Sequence, residues 1–360
     1  MKRISTAEFA RCIWLCWRSL VRPNSHLSRR NRRIFPATVA CLVLIALSLS
    51  ATPAKVHLSM KFTSGEVLRY QIETSTTANN KMETPIENPE AASKSTQSVS
   101  LILRLDVLNT PPANGTPAGS VRIRTTFEKS DAAFKSDAFD LAGSNVQDQY
   151  KHLEGRSLEY TIEPDGQVSH ITGIDDLLAN PVVAQNVHAW MNGLSFGARL
   201  PKGGIEVGQK WNTDQPMEGT PLGGLVWRNR STYLHDEPCH STDAPQRPPA
   251  GAQPAANANP SCAVIVTEFK IIRNGDATPD DYSRKGLDTS GTWSGTGGSL
   301  EYISLADGTL VRSTQNSTQN MDVEILSIKT GSKIHYVSRV DSKSEISLLP
   351  AEAPPTVQQP

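Results

Sequence analysis

The chain has 360 residues, 38 % of them apolar and 20 % charged, with 36 basic and 36 acidic side chains. That length allows two average domains, or one large all-β domain behind a targeting segment. The composition excludes collagen, a coiled coil, a multi-span membrane protein and a wholly disordered chain.

The balanced charge is unevenly placed. Nine basic groups and one acidic group fall in residues 1–54, which leaves 27 basic against 35 acidic groups in the rest, a net charge of −8. Such a body does not suit nucleic acid, whose phosphates need dense Lys and Arg.

Residues 1–54 read as a signal peptide or signal-anchor with a long basic leader. Arg29-Arg30-Asn31-Arg32-Arg33 precedes an apolar run from Ala37 to Leu49, and the small residues Ser48, Ser50, Ala51 and Ala54 follow. This is the order of a secretory signal. Arg32-Arg33-Ile34-Phe35 resembles a twin-arginine export motif, although Asn31 and Pro36 depart from its flanks. Cys41 opens the apolar run instead of closing it, which is wrong for a lipobox. The competing reading is an uncleaved anchor, since Phe35 to Pro53 is near the lower length limit for a span. The body is then periplasmic or extracellular, or tethered to the inner membrane by that one helix. Membrane contact is expected through this segment alone, and only if it is not cleaved.

The body, residues 55–348, reads as a single β-rich domain. Val56, Leu58, Met60 and Phe62 alternate with polar residues, as do Leu68, Tyr70 and Ile72, then Val99 to Val107, then Val121, Ile123 and Phe127. Further strands are expected near 157–163, 167–172, 224–234, 262–273, 287–294, 299–305, 309–315, 321–328 and 333–340. A period of two with one polar face means antiparallel strands. Glu163-Pro164-Asp165-Gly166 and Leu305-Ala306-Asp307-Gly308 carry Asp-Gly hairpin chemistry, and Thr63-Ser64-Gly65-Glu66 is another turn. Ser157-Leu158-Glu159-Tyr160 with Asp165-Gly166 recurs 142 residues later as Ser299-Leu300-Glu301-Tyr302 with Asp307-Gly308. Two readings stay open: a duplicated β-meander, or two ordinary hairpins that happen to match. The fold class expected is mainly β, a large antiparallel curved sheet or half-barrel.

Residues 174–193 break the β pattern. Val183, Val187, Trp190 and Met191 fall on one helical face after Pro181, a good first helical position. As a plain covering helix they close the sheet. As a lid, Trp190, Met191 and Phe196 are its candidate ligand-binding side chains. Residues 240–261, rich in Pro and Ala, form a loop, and residues 349–360 a disordered tail.

Three of five cysteines lie in the leader, so Cys239 and Cys262 remain to pair as a disulfide across that loop. His235-Asp236-Glu237-Pro238-Cys239-His240 concentrates metal-ligand types, but no second cluster at a recognised spacing accompanies it. No metal site is expected. Catalytic motifs are absent: Gly291-Thr292-Trp293-Ser294-Gly295 puts its Ser one place late for a nucleophile elbow, and Gly295-Thr296-Gly297-Gly298 lacks the Lys-Ser/Thr of a phosphate loop. No cofactor and no enzyme activity are expected.

Phe62-Thr-Ser-Gly65-Glu66-Val-Leu-Arg-Tyr70, Gly166-Gln-Val168-Ser-His-Ile171-Thr-Gly173-Ile-Asp175, Leu200-Pro201, Val207-Gly208-Gln209-Lys210-Trp211 and Met321-Asp322-Val323 together resemble an uncharacterised family of exported bacterial β-proteins. That family lends no activity and no catalytic residues. Its strand plan is similar to periplasmic lipoprotein-carrier half-barrels, which implies an apolar concavity. The function expected is a non-enzymatic binder of an apolar or lipid-like ligand in the cell envelope. The alternatives are an envelope scaffold or interaction module, and an unrecognised hydrolase. The oligomeric state is not legible.

Overall fold

The structure, a computed structural model, describes residues 55–58, 60–84, 92–108, 117–138, 146–173, 191, 200–201, 203–217, 219–239 and 260–350. The chain divides into units 1–53 and 54–360, and every described residue belongs to the second. The targeting segment, the tail from residue 351, the Pro/Ala-rich loop up to residue 259 and the helical insertion other than Met191 lie outside the described residues.

Eleven strands form one antiparallel sheet: β1 (Val67–Glu83), β2 (Ala92–Val107), β3 (Val121–Ser136), β4 (Ser157–Ile162), β5 (Val168–Thr172), β6 (Lys210–Pro216), β7 (Leu225–Pro238), β8 (Ser261–Arg273), β9 (Leu287–Ser304), β10 (Leu310–Ser327) and β11 (Lys333–Leu348). Among the described residues, two short helical elements with both ends described interrupt them, α1 (Val146–Lys151) before β4 and α2 (Asp280–Arg284) before β9. The spatial order is β5-β4-β3-β2-β1-β11-β10-β9-β8-β7-β6. Sequential hairpins make every pairing except that of β1 with β11, which closes the two meanders into one sheet. β5 and β6 stand at its two ends, so the sheet is not a closed barrel.

Alternation sorts the side chains. Tyr70, Ile72, Leu101, Leu103, Ile123, Phe127, Leu158, Tyr160, Ile265, Ile303 and Leu310 all face inward in one buried cluster. Full burial of a Leu or Ile contributes about 1.5–3 kcal/mol, so this stripe anchors the end where β1 begins and β11 ends, called the lower end here. The outward positions carry ion pairs. Glu159 bridges Arg122 and Arg124, Arg69 pairs with Glu128 at 2.6 Å, Arg312 with Glu345 at 2.8 Å and Arg228 with Asp214 at 2.8 Å.

The sheet curls around its inner face. Leu200 lines a space beside Val121 and Ile162 of β3 and β4, and also a space beside Trp211, Thr213 and Ile265 of β6 and β8. One side chain thus lies against strands from the two opposite ends of the sheet. A flat sheet with strands about 4.8 Å apart would hold those ends tens of ångströms apart.

Residues 55–62 are not the strand that their alternation predicts. Val56 makes one bridge with Ile205, and Lys61 donates its N–H to Asp307 at 2.7 Å. The segment crosses the lower end, from the residues before β6 to the β9–β10 turn, with Leu58 buried in the core. Its alternation reflects burial on one side without a neighbouring strand. β6, which the sequence reading omits, is a polar strand. The pairs expected near 287–294 and 299–305, and near 309–315 and 321–328, are single long strands, β9 and β10.

The two meanders open on turns with the same hydrogen bonds. At Thr63-Ser64-Gly65-Glu66 the Glu66 N–H donates to Thr63 O (2.9 Å), the Thr63 N–H donates to Glu66 Oε2 (2.8 Å), and Gly65 donates to Val107 O (2.9 Å). At Glu206-Val207-Gly208-Gln209 the same three bonds recur: Gln209 to Glu206 O (2.9 Å), Glu206 to Gln209 Oε1 (3.1 Å) and Gly208 to Tyr233 O (2.7 Å). Gly65 and Gly208 have φ of 81° and 88°, left-handed values that a side chain would strain. Each turn launches a meander, β1–β5 and β6–β10, and the two lie in the same direction on either side of β11.

Candidate functional site

A cavity of about 430 Å³ opens at the lower end. Val56, Leu58, Met60 and Phe62 of the crossing segment form one wall, and Val121 and Ile162 of β3 and β4 the other. Leu200, Pro201 and Ile205 close the back. The hairpin Glu163–Gln167 and His57 supply the polar rim. β5 reaches this rim through a bulge: Thr161 faces Ser169 and Glu159 faces Thr172, so His170 and Ile171 together oppose Tyr160. His170 there has φ 50°, a value uncommon outside Gly and costly to hold.

The rim has structural partners. Asp165 accepts the Gln167 N–H at 3.2 Å, which forms the turn. The His57 ring lies over Gly204, where an added Cβ would meet its Cε1 at 3.1 Å. The buried phenols near the core stay neutral. Burial raises the Tyr70 and Tyr233 hydroxyls well above the usual phenol value and pushes Tyr160 up to about 12, while a hydrogen bond from Thr125 Oγ1 at 3.2 Å opposes the last. Such groups suit packing and hydrogen bonding better than proton transfer at neutral pH.

Of the candidate ligand-binding residues, Met191 is helical, buried and part of the main core. Trp190 and Phe196 lie outside the described residues. Cys239 and Cys262 form the expected disulfide, with Cα atoms 5.0 Å apart. Next to it, His235 pairs with Glu237 at 3.0 Å and the Tyr233 hydroxyl donates to Asp236. No three metal-ligating side chains converge among the described residues.

Above the core the inner face changes character. Cross-strand rows place Ser231, Thr267 and Ser299 side by side, then Gln315, Ser344 and Thr74. The next row is Asn229, Phe269, Gly297, Ser317, Ser342 and Thr76. Neighbours bond each other: Ser231 with Thr267 at 2.9 Å, Thr76 with Ser342 at 3.2 Å, and Trp293 Nε1 to Gln319 Oε1 at 3.2 Å. At the far end of β6–β10 a second apolar cluster gathers Leu222, Leu225, Ile271 and Val323 with Trp227, Trp293 and Met321. Sequence reading missed this band, because alternation reports which residues share a face but not how a face changes along the strands.

No protein-family model matches the sequence, and no curated protein matches it. Among solved structures, the outer membrane protein OprG from Pseudomonas aeruginosa aligns with 80 % of this chain and 97 % of its own, at 7 % identity and a TM-score of 0.16. So low a score carries nothing about function. No helix among the described residues is long and apolar enough to cross a membrane.

Proposed function

We propose that the protein is an exported, non-enzymatic binder of an apolar or lipid-like ligand, seated in the lower cavity. The observation that carries this reading is the cavity itself. Its volume of about 430 Å³ falls in the range of ligand pockets, roughly 300–1,000 Å³. It is lined by aliphatic side chains and Phe62, together with polar groups of His57 and the Glu163–Gln167 hairpin. Burying an alkyl chain there gains about 25 cal/mol per Å², and the rim orients one polar end. The Cys239–Cys262 bond supports an oxidising compartment, outside the cytosol.

A scaffold that adds a partner strand would use the sheet ends. Those ends are β5, five residues long and bulged, and β6, seven residues long and ending at Pro216. Short, bulged and Pro-terminated edges resist strand addition, which favours the binder.

Titration with a fluorescent fatty acid tests the proposal. Saturable binding is expected, and Met60→Trp, which fills the cavity, weakens it by about tenfold or more. Absence of saturable binding, or equal affinity in Met60→Trp, overturns it.

A further inference from the structure

The polar rim of the lower cavity has a definite charge. Its acidic side chains are Glu163 and Asp165, both half-buried, and no Lys or Arg is among the described lining residues. The described basic neighbours are placed elsewhere. Arg122, beside Val121, pairs with Glu159 on the outer face. Lys61, between Met60 and Phe62, donates to the Ala306 carbonyl at 3.2 Å. Lys55, beside Val56, is exposed and does not line the cavity.

The backbone around the rim is short of donors as well. In the hairpin the Glu163 N–H donates to Gln167 O at 2.9 Å, the Gly166 N–H to Glu163 O at 2.8 Å and the Gln167 N–H to Asp165 Oδ1 at 3.2 Å. Along the back wall the Gly204 N–H donates to Pro201 O at 3.2 Å and the Ile205 N–H to Val56 O at 2.9 Å. Pro164 and Pro201 have no N–H to offer. The side-chain donors of the rim are the His57 ring and the Gln167 amide. End groups of a ligand meet this rim differently. A carboxylate or phosphate only accepts, so it would lose water beside two carboxylates with few donors to receive it. A hydroxyl donates one hydrogen bond. A protonated amine donates three and is attracted by both carboxylates.

We propose, resting on the function proposed for this cavity, that its ligand is an amphiphile whose polar end is a hydrogen-bond donor, a primary amine above a hydroxyl. The alkyl chain lies among Leu58, Met60, Phe62, Val121 and Ile162, and the donor end sits at Glu163 and Asp165. A fatty acid still enters through its chain, and it ranks last among ligands of equal length.

Calorimetric titrations with dodecylamine, dodecanol and dodecanoate hold the chain constant and change the end group alone. They are run at low ionic strength, where rim charges are least screened. Dodecylamine is expected to bind about tenfold or more tighter than dodecanoate, with dodecanol between them. Met60→Trp weakens all three, which ties the ranking to the cavity. Glu163→Gln combined with Asp165→Asn removes both charges while keeping an oxygen for the Gln167 N–H and an Asn-Gly turn. That variant brings dodecylamine and dodecanoate to within about twofold of each other, and denaturation midpoints check that it folds. Three outcomes overturn this inference and leave a binder of apolar chains in place: dodecanoate binding as tightly as dodecylamine, a dodecylamine affinity untouched by Met60→Trp, or a ranking that survives in the folded double variant. Absence of saturable binding by all three overturns both.

Discussion

Two glutamates with identical flanking sequence have opposite surroundings. Glu159, in Ser157-Leu158-Glu159-Tyr160, points outward, where a hydrogen bond from Arg124, together with the charge of Arg122 and a hydrogen bond from it, holds its carboxyl below the usual range against the opposing effect of desolvation. Glu301, in Ser299-Leu300-Glu301-Tyr302, points inward and is 5 % exposed. The pairing registers differ. Val168 and Leu310 are equivalent in the repeat, but Val168 pairs with Ile162 and Leu310 with Ile303, which stands one place earlier in its copy. A one-residue change of register puts equivalent side chains on opposite faces. The repeat was legible in the sequence, but its burial was not, because pairing register and not residue type decides which face a residue takes. Close packing on β9 gives a prediction at the same scale. The atoms nearest a Cβ at Gly295 would be side-chain ones, Ile271 Cδ1 at 2.8 Å and Gln319 Cγ at 3.2 Å, whereas one at Gly297 would also meet the Asn316 carbonyl oxygen at 2.3 Å. Gly295→Ala costs about 1–3 kcal/mol and is partly rescued by Ile271→Val, and Gly297→Ala costs more and is not rescued by Phe269→Leu. Urea denaturation midpoints of the single and double variants check this.

At the scale of the element, His335 of β11 ties three strands. Its Nε2 lies 2.8 Å from Asp322 of β10 and its Nδ1 lies 3.2 Å from Glu83 of β1. The hydrogen bonds to those two carboxylates raise its pKa above the ordinary 6.5. A raised folded-state pKa stabilises the protein fully below the unfolded value and ceases to do so as pH rises through the folded value. The stability difference between wild type and His335→Gln is therefore largest near pH 6 and shrinks above neutrality, read as denaturation midpoints across pH. A difference that grows with pH contradicts the clasp. The β7–β8 hairpin is held at its other end by the disulfide, whose 23-residue separation makes loop closure worth about 3 kcal/mol. The double variant Cys239→Ser with Cys262→Ser unfolds at correspondingly lower urea, and reducing agent then has no further effect on it. The pairing was readable from cysteine count and compartment. The clasp was not, since Glu83 is distant in sequence from Asp322 and His335, and the three meet only through the registers of β1, β11 and β10.

For the whole molecule, the joining strand decides whether the two meanders are one folding unit. β11 pairs along nearly its full length with β1 on one side and β10 on the other, and Ile346 packs against the main core. The core residues come from both meanders, Tyr70 and Leu101 from one, Ile265 and Leu310 from the other, in a single cluster. The main core is shared between the meanders and the separate cluster of β6–β10 is small, so neither meander buries enough apolar area alone to offset chain entropy. Deleting residues 333–360 removes the strand between them and exposes the inward stripes of β1 and β10. The expected result is loss of cooperative urea unfolding in the entire body, with the circular dichroism of β structure falling well beyond the share of one strand in eleven. A truncated chain that keeps a sharp transition for either meander would show that the two meanders retain independent stability, and that β11 is an ornament on the sheet instead of its seam.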